Sequence, residues 1–401
     1  MYSIVKPTDI LLPRVADLTA WSVIACDQFT SQPEYWAAAE KRVGEAPSTL
    51  HMMLPEAWMN TPHARGAGKR LAGTMEHYLA EGIFREEKDC FIYLERTISD
   101  GRIRRGLMAA LDLEQYDNAP DTRSPVRATE ATVAERMPLR REIRENAPLE
   151  LPHAMVLMDD VFDTVLGPLA TAGEGMERLY DTELMLGGGR VTGWRVEGAL
   201  RDKAQEALAT LGSPEFQRER YGDAAKFGPL VFAVGDGNHS ILAAKQNWER
   251  IKKTLTPGER ETHPARYTLV ELNNLHEPSL DFMPIHRLLL DTDTGPFADA
   301  YAKNRARWER PDATLGERVA AADDFCERYV TTHGGHVDYI HGDKTLIELA
   351  SRPGCAAVPL PAVDKGSLFR SVLSGGALPQ KSFSIGYAED KRYYLECRRI
   401  Q

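Results

Sequence analysis

Six consecutive positions, Gly235-Asp236-Gly237-Asn238-His239-Ser240, hold a carboxylate, an imidazole, a hydroxyl and two glycines. An imidazole moves protons near neutral pH, and a carboxylate can orient it, accept a proton or hold a metal. Glycine lets the backbone approach a ligand with no Cβ in the way. The flanks say where this happens. The apolar run Leu230 to Val234 reads as a buried strand, and Ile241 to Lys253 reads as a helix. Unpaired N–H groups and the positive end of the dipole at a helix start favour an anion, often a phosphate. Ligands of α/β folds gather at the carboxyl ends of strands. Asp236 and His239 are therefore candidate catalytic residues, and Gly235, Gly237, Asn238 and Ser240 candidate phosphate-binding positions. The competing reading is a helix capped by Asp236, Asn238 or Ser240, with His239 bonded to a nearby carbonyl. This is no Walker loop, since no Gly-Lys-Ser/Thr follows.

The surrounding chain has to position that loop. Trp21 to Cys26 reads as a short strand running into Asp27 and Gln28, and Pro33 opens a helix. Residues 63 to 84 read as helix. Cys90 to Ile98 and Arg102 to Leu113 read as strands joined at Asp100-Gly101, a hairpin signal because the tight turn needs positive φ. A charged helix follows at Val133 to Glu145, interrupted near Pro138, then a buried strand at Met155 to Met158. Gly187-Gly188-Gly189 turns a second hairpin, and a helix covers 199 to 211. Further on, Arg266 to Leu275 and Pro284 to Leu290 read as strands, 296–306 and 314–331 as helices. The tail adds strands at Val337 to Ile340, Thr345 to Leu349 and Tyr393 to Arg398, with a helix near 365–374. This alternation predicts an α/β (α+β) fold, a mixed sheet with helices packed against it.

The chain has 401 residues, 43% apolar and 27% charged, enough for a substantial core. No apolar run is long enough to span a membrane, and the N-terminus lacks a signal-peptide pattern. Five scattered cysteines without a Cys-x-x-Cys pair read as reduced thiols, so a cytoplasmic location is expected. A formal net charge of −10 argues against general nucleic-acid binding. The basic stretches Arg102-Ile103-Arg104-Arg105 and Arg140-Arg141 with Arg144 read as solvated faces of a strand and a helix.

Together with its flanks, the 235–240 loop resembles the hallmark of the domain of unknown function 1015 family, whose usual form is Asp-Gly-His-His-Arg before a helix. Other segments match in order: Arg127-Ala128-Thr129-Glu130-Ala131-Thr132 with Arg136 downstream, Asn146-Ala147-Pro148, Pro284-Ile285-His286-Arg287, and Leu378-Pro379-Gln380-Lys381-Ser382. The resemblance covers essentially the whole chain as one family-length unit, 1–401, in which lobes at 1–120, 121–290 and 291–401 are expected. That family is similar through its loop to the ParB-like and sulfiredoxin-like superfamily, which includes free serine kinases. The resemblance implies a nucleotide-binding core, phosphates at the loop and helix start, ATP or ADP with magnesium (Mg2+) as cofactor, and an acidic base elsewhere.

Asn238 stands in place of the first family His and Ser240 in place of the Arg. An Arg grips phosphate with a planar fork, whereas Ser offers one hydroxyl. Another cation would have to compensate, and Arg287, Arg136 and Lys381 are the candidates. Glu130 is read as a catalytic base or magnesium ligand, against a surface carboxylate. His286 and Arg287 are neighbours in a strand and point to opposite faces, so one at most faces a site. Asp27 and Gln28 are further cleft candidates. No local His or Cys spacing supports a transition-metal site. The expected function is a phosphate- or nucleotide-binding small-molecule phosphotransferase, kinase-like. The alternatives are a non-catalytic nucleotide or metabolite sensor and, against the charge balance, a DNA-associated protein.

Overall fold

Asp100-Gly101 turns the chain as expected, with Gly101 at φ 85°. The strands it joins, Phe84–Thr97 and Ile103–Asp112, pair antiparallel. Side chains alternate across such strands. Cys90, Ile92 and Leu94 enter one hydrophobic core, while Phe91 and Tyr93 enter another on the opposite face. A sheet buried on both faces follows from that pattern.

The computed structural model describes residues 3–132 and 137–401. Tertiary contacts divide the chain into two units. Unit 1 holds 1–128, 132–279 and 387–401, and unit 2 holds 129–131 and 280–386. Unit 1 is built on a mixed sheet of eleven strands among the described residues. At its centre Ile103–Asp112 pairs with Tyr267–Asn274, which runs parallel to Met155–Met158. Phe232–Asp236 lies antiparallel to Met155–Met158 and parallel to Val126–Ala128. Residues 84–112 thus share one sheet with strands drawn from 126–274.

The Gly187–Gly189 hairpin joins Arg178–Glu183 to Arg190–Val196. The helix Asn238–Ile251 packs Ile241, Ala244 and Trp248 into the second core, at the three-to-four-residue spacing of one helical face. The C-terminal segment crosses unit 1 as two short strands: Tyr393–Tyr394 pairs with Val23–Ile24, and Arg398–Arg399 with Leu149–Glu150. The strand expected at Trp21 to Cys26 shrinks to Val23–Ile24, because Asp17 caps a helical turn at Leu18–Trp21.

Two basic stretches are corrected. Arg104 is buried beside Glu271. On the helix Met137–Asn146, Arg140 and Arg144 turn inward with side chains 9% and 15% exposed, and only Arg141, 51% exposed, is solvated. Buried guanidinium groups require partners, and Glu56 and Glu150 supply them.

In unit 2 the strand Phe282–Leu290 pairs with His336–His341, Ala356–Val358 and Phe383–Ile385. The helix Leu315–His333 opens with a Thr314–Glu317 capping box and packs Val319, Phe325 and Tyr329 around Trp308. Thr345 to Leu349, expected as a strand, belongs to the helix Asp343–Ala350. Its short apolar run fits either period, and only Leu346 is buried.

Candidate functional site

The helix that carries the loop begins three residues earlier than its apolar pattern suggested, because the carbonyl of Gly237 accepts from the amides of Ser240 and Ile241 at 3.0 and 3.1 Å. Asn238, His239 and Ser240 therefore form its first turn. Gly237 is required there: φ is 79°, and a Cβ would fall 2.8 Å from the Cα of Ala154. Asp236 accepts from the Gly237 amide at 3.0 Å and pairs with Lys391 at 3.3 Å. Gly235 precedes it at the end of the strand. Among the described residues, Oδ1 of Asn238 is buried without a hydrogen-bond partner.

Ser240 meets a residue not singled out from the sequence. Its Oγ lies 3.1 Å from Nε2 of His153, which is 5% exposed. Nδ1 of the same ring lies 2.7 Å from the hydroxyl of Tyr394. That hydroxyl accepts from the Cys26 amide at 3.2 Å. Burial pushes the Tyr394 phenol well above its usual range, so it keeps its proton. An amide can only donate, so the phenol proton goes to Nδ1, and the ring proton of His153 sits on Nε2. Asp27 lies 3.8 Å from that Nε2 and accepts from Gln28 at 2.9 Å. Burial opposes the Asp27 charge, but His153 and Arg140 outweigh it and hold the carboxyl below its usual range. A guanidinium nitrogen of Arg140 approaches Ser240 Oγ at 3.5 Å, while the same side chain pairs with Glu56. With His153 and Arg140 both donating to Oγ, the Ser240 proton is available to an acceptor.

Ser240, His153, Tyr394 and Arg140 line a cavity of about 130 Å³. Its body is apolar, with Met52, Met53, Met75, Ile143 and Leu269 among the walls, and Arg144, Glu150 and Thr268 supply further polar wall. Cys26 also lines it, but burial pushes its thiol up to about 12, so the thiolate nucleophile is absent at neutral pH.

The remaining predicted residues lie elsewhere. Glu130, His286, Arg287 and Lys381 belong to unit 2. Oε1 of Glu130 accepts from the amides of Ser382 and Phe383 at 2.9 and 3.4 Å. Burial raises its pKa despite those amides. His286 accepts from the Leu360 amide at 3.1 Å and faces Asp343 at 2.9 Å, with burial lowering its pKa. Arg287 is fully buried, its guanidinium on Asp323 and on the carbonyls of Ile285 and Lys381. Lys381 is exposed at φ 58°. Arg136 lies outside the described residues. Among the described residues no group of three or more His, Cys, Asp or Glu is placed to hold a metal, and no helix is long and apolar enough to cross a membrane.

The family described as Protein of unknown function (DUF1015) matches residues 5–397. The chain belongs to that family. No curated protein and no solved structure matches it. In this DUF1015 chain the match spans both units, so the loop at 235–240 and the segment bearing Tyr394 fall within one family-length unit. His153, Tyr394 and Arg140 were hidden from sequence reasoning because their partners are distant along the chain. The one local signal is Pro152-His153 placed just before a fully apolar strand, where polar side chains need a reason to be buried.

Proposed function

We propose that this DUF1015 chain is a small-molecule enzyme of phosphoryl transfer whose working site is the unit 1 cavity beside Ser240. One observation carries the reading: His153 Nε2–H, the Arg140 guanidinium and the Ser240 hydroxyl meet at the first turn of the helix Asn238–Ile251. Three donors and a helix start suit an oxygen that bears or develops negative charge. Arg140 supplies the cation that Ser240, standing in the place of the family Arg, lacks. His153 donates its Nε2–H as a hydrogen bond to the oxygen on which negative charge develops, while Nδ1 accepts from Tyr394.

The similarity to ParB-like and sulfiredoxin-like proteins supports phosphate at this loop and suggests ATP or ADP with magnesium. A cavity of about 130 Å³ does not fit a whole nucleotide, since roughly 150 Å³ is filled by benzene. The cavity is therefore assigned to the small molecule, and no step is routed through the nucleotide. Glu130 is left out of the chemistry because its Oε1 is held by two backbone amides. A second reading, a sensor that binds without turnover, is favoured by the pairing of Asp236 with Lys391, which occupies the loop carboxylate.

The test is 31P NMR of the protein with ATP, magnesium and a panel of hydroxyl-bearing metabolites. Transfer that disappears in His153→Gln and Arg140→Lys is expected. Ligand-induced stabilisation without transfer would select the sensor, and neither signal would overturn both readings.

A further inference from the structure

Among the described residues, Arg140 and Arg144 share with Arg96 and Arg104 a buried Nε–H that has no hydrogen-bond partner. The side chains of Arg140 and Arg144 both line the unit 1 cavity. An unpaired buried donor costs about 1–3 kcal/mol, more when charged, so these two guanidinium groups keep unmet donor capacity beside the cavity. The arginines stand four residues apart on one helix, a separation of about 6 Å along its axis.

Charge distinguishes the two positions. Near Arg144, Glu150 is shared with Arg398, at 2.6 and 2.7 Å respectively. Glu150 also accepts from Thr268 Oγ1 at 3.0 Å and the Leu269 amide at 2.8 Å, so its lone pairs are committed. Two guanidinium groups against one carboxylate leave a positive excess. Near Arg140, Glu56 and Asp27 oppose a single guanidinium, which leaves none. The same cavity is lined by apolar Ile143, Ala243 and Leu269.

We infer that the unit 1 cavity takes a small carboxylic acid with a compact apolar body, its carboxylate on Arg144 and its reacting oxygen at Arg140 and Ser240. The assignment of the reacting oxygen rests on the proposed phosphoryl-transfer reading; the assignment of the carboxylate does not. A body of about six carbons matches the cavity volume of about 130 Å³.

Calorimetric titration with three probes separates the claims: 4-hydroxybenzoate, its methyl ester and inorganic phosphate. The acid should bind at least about tenfold tighter than the ester, the worth of one charge-assisted hydrogen bond. Arg144→Lys, which keeps the charge but removes the Nε donor, should close most of that gap. Ala243→Leu, which fills the cavity, should abolish binding of both ring compounds and spare phosphate. Equal affinity for acid and ester, a gap unchanged in Arg144→Lys, or no binding of either ring compound overturns the inference. Phosphate failing to bind while the acid binds would instead strike the phosphoryl-transfer reading.

Discussion

The hydroxyl of Tyr394 sits 2.7 Å from Nδ1 of His153, joining residues 241 positions apart in the chain. This contact fixes which nitrogen of the imidazole faces Ser240 with a proton. Tyr394→Phe removes the phenol from both His153 and the Cys26 amide. Each buried group left unpaired costs about 1–3 kcal/mol. The urea midpoint should fall accordingly, and 15N NMR should show His153 losing its preference for the Nε2–H tautomer. An unchanged tautomer would mean that Tyr394 does not set it.

Arg392 holds the walls of the site. Its Nε donates to the Pro152 carbonyl at 3.1 Å, next to His153, and its own carbonyl accepts from Ala25 at 2.8 Å. Its guanidinium pairs with Glu271 and Glu396, all three buried. Arg392→Met strands two carboxylates, and breaking such a buried set costs about 3–5 kcal/mol. Thermal denaturation should show a drop of many degrees, with ligand binding in the unit 1 cavity lost in parallel. A drop of only a degree or two would mean the network relaxes around the gap.

Acid should weaken unit 1. Glu150 and Glu271 are buried and Asp27 is half-buried, yet neighbouring groups hold each carboxyl below its usual range. A depressed folded pKa gives stability that is present above the unfolded value, about 4, and is lost as pH falls through the folded value. Urea midpoints should decline progressively below about pH 4. A midpoint flat to pH 2 would contradict the assignment of ionised, paired carboxylates.

Glu130 should behave in the opposite sense. Burial raises its folded pKa, so ionisation costs stability as pH rises from the ordinary carboxylate range through the folded value. Glu130→Gln keeps an oxygen for the Ser382 and Phe383 amides and removes that cost. Its stability relative to the parent should grow with pH and be positive near pH 8, read from urea midpoints at several pH values. Destabilisation at every pH would mean that the charge itself holds the 381–383 turn.

The sequence was most legible where the signal was local. Asp100-Gly101 marked its hairpin, Pro33 opened its helix, and Leu230 to Val234 marked the strand into the loop. Thr345 to Leu349 failed because five apolar-rich residues fit either period, and the helix was decided by packing of Leu346. The loop at 235–240 was found, but its chemistry was only half visible. Ser240 was read as a loss relative to Arg, and nothing local showed that Arg140, 100 positions upstream, lies at its hydroxyl. Arg140 and Arg144 looked solvated because charge patterning cannot reveal that Glu56 and Glu150 await them in the interior. His153 is hidden for the same reason: its partners Asp27, Ser240 and Tyr394 are all distant along the chain.

The central claim is that Arg140, Ser240 and His153 receive an anionic oxygen at the start of the helix Asn238–Ile251. The most direct measurement is a crystal structure of the protein with phenyl phosphate. The account predicts phosphate density within hydrogen-bond distance of Arg140 and Ser240, with the ring among Met52, Met75 and Leu269. Phosphate bound elsewhere, with that cavity closed by the protein's own side chains, would contradict it.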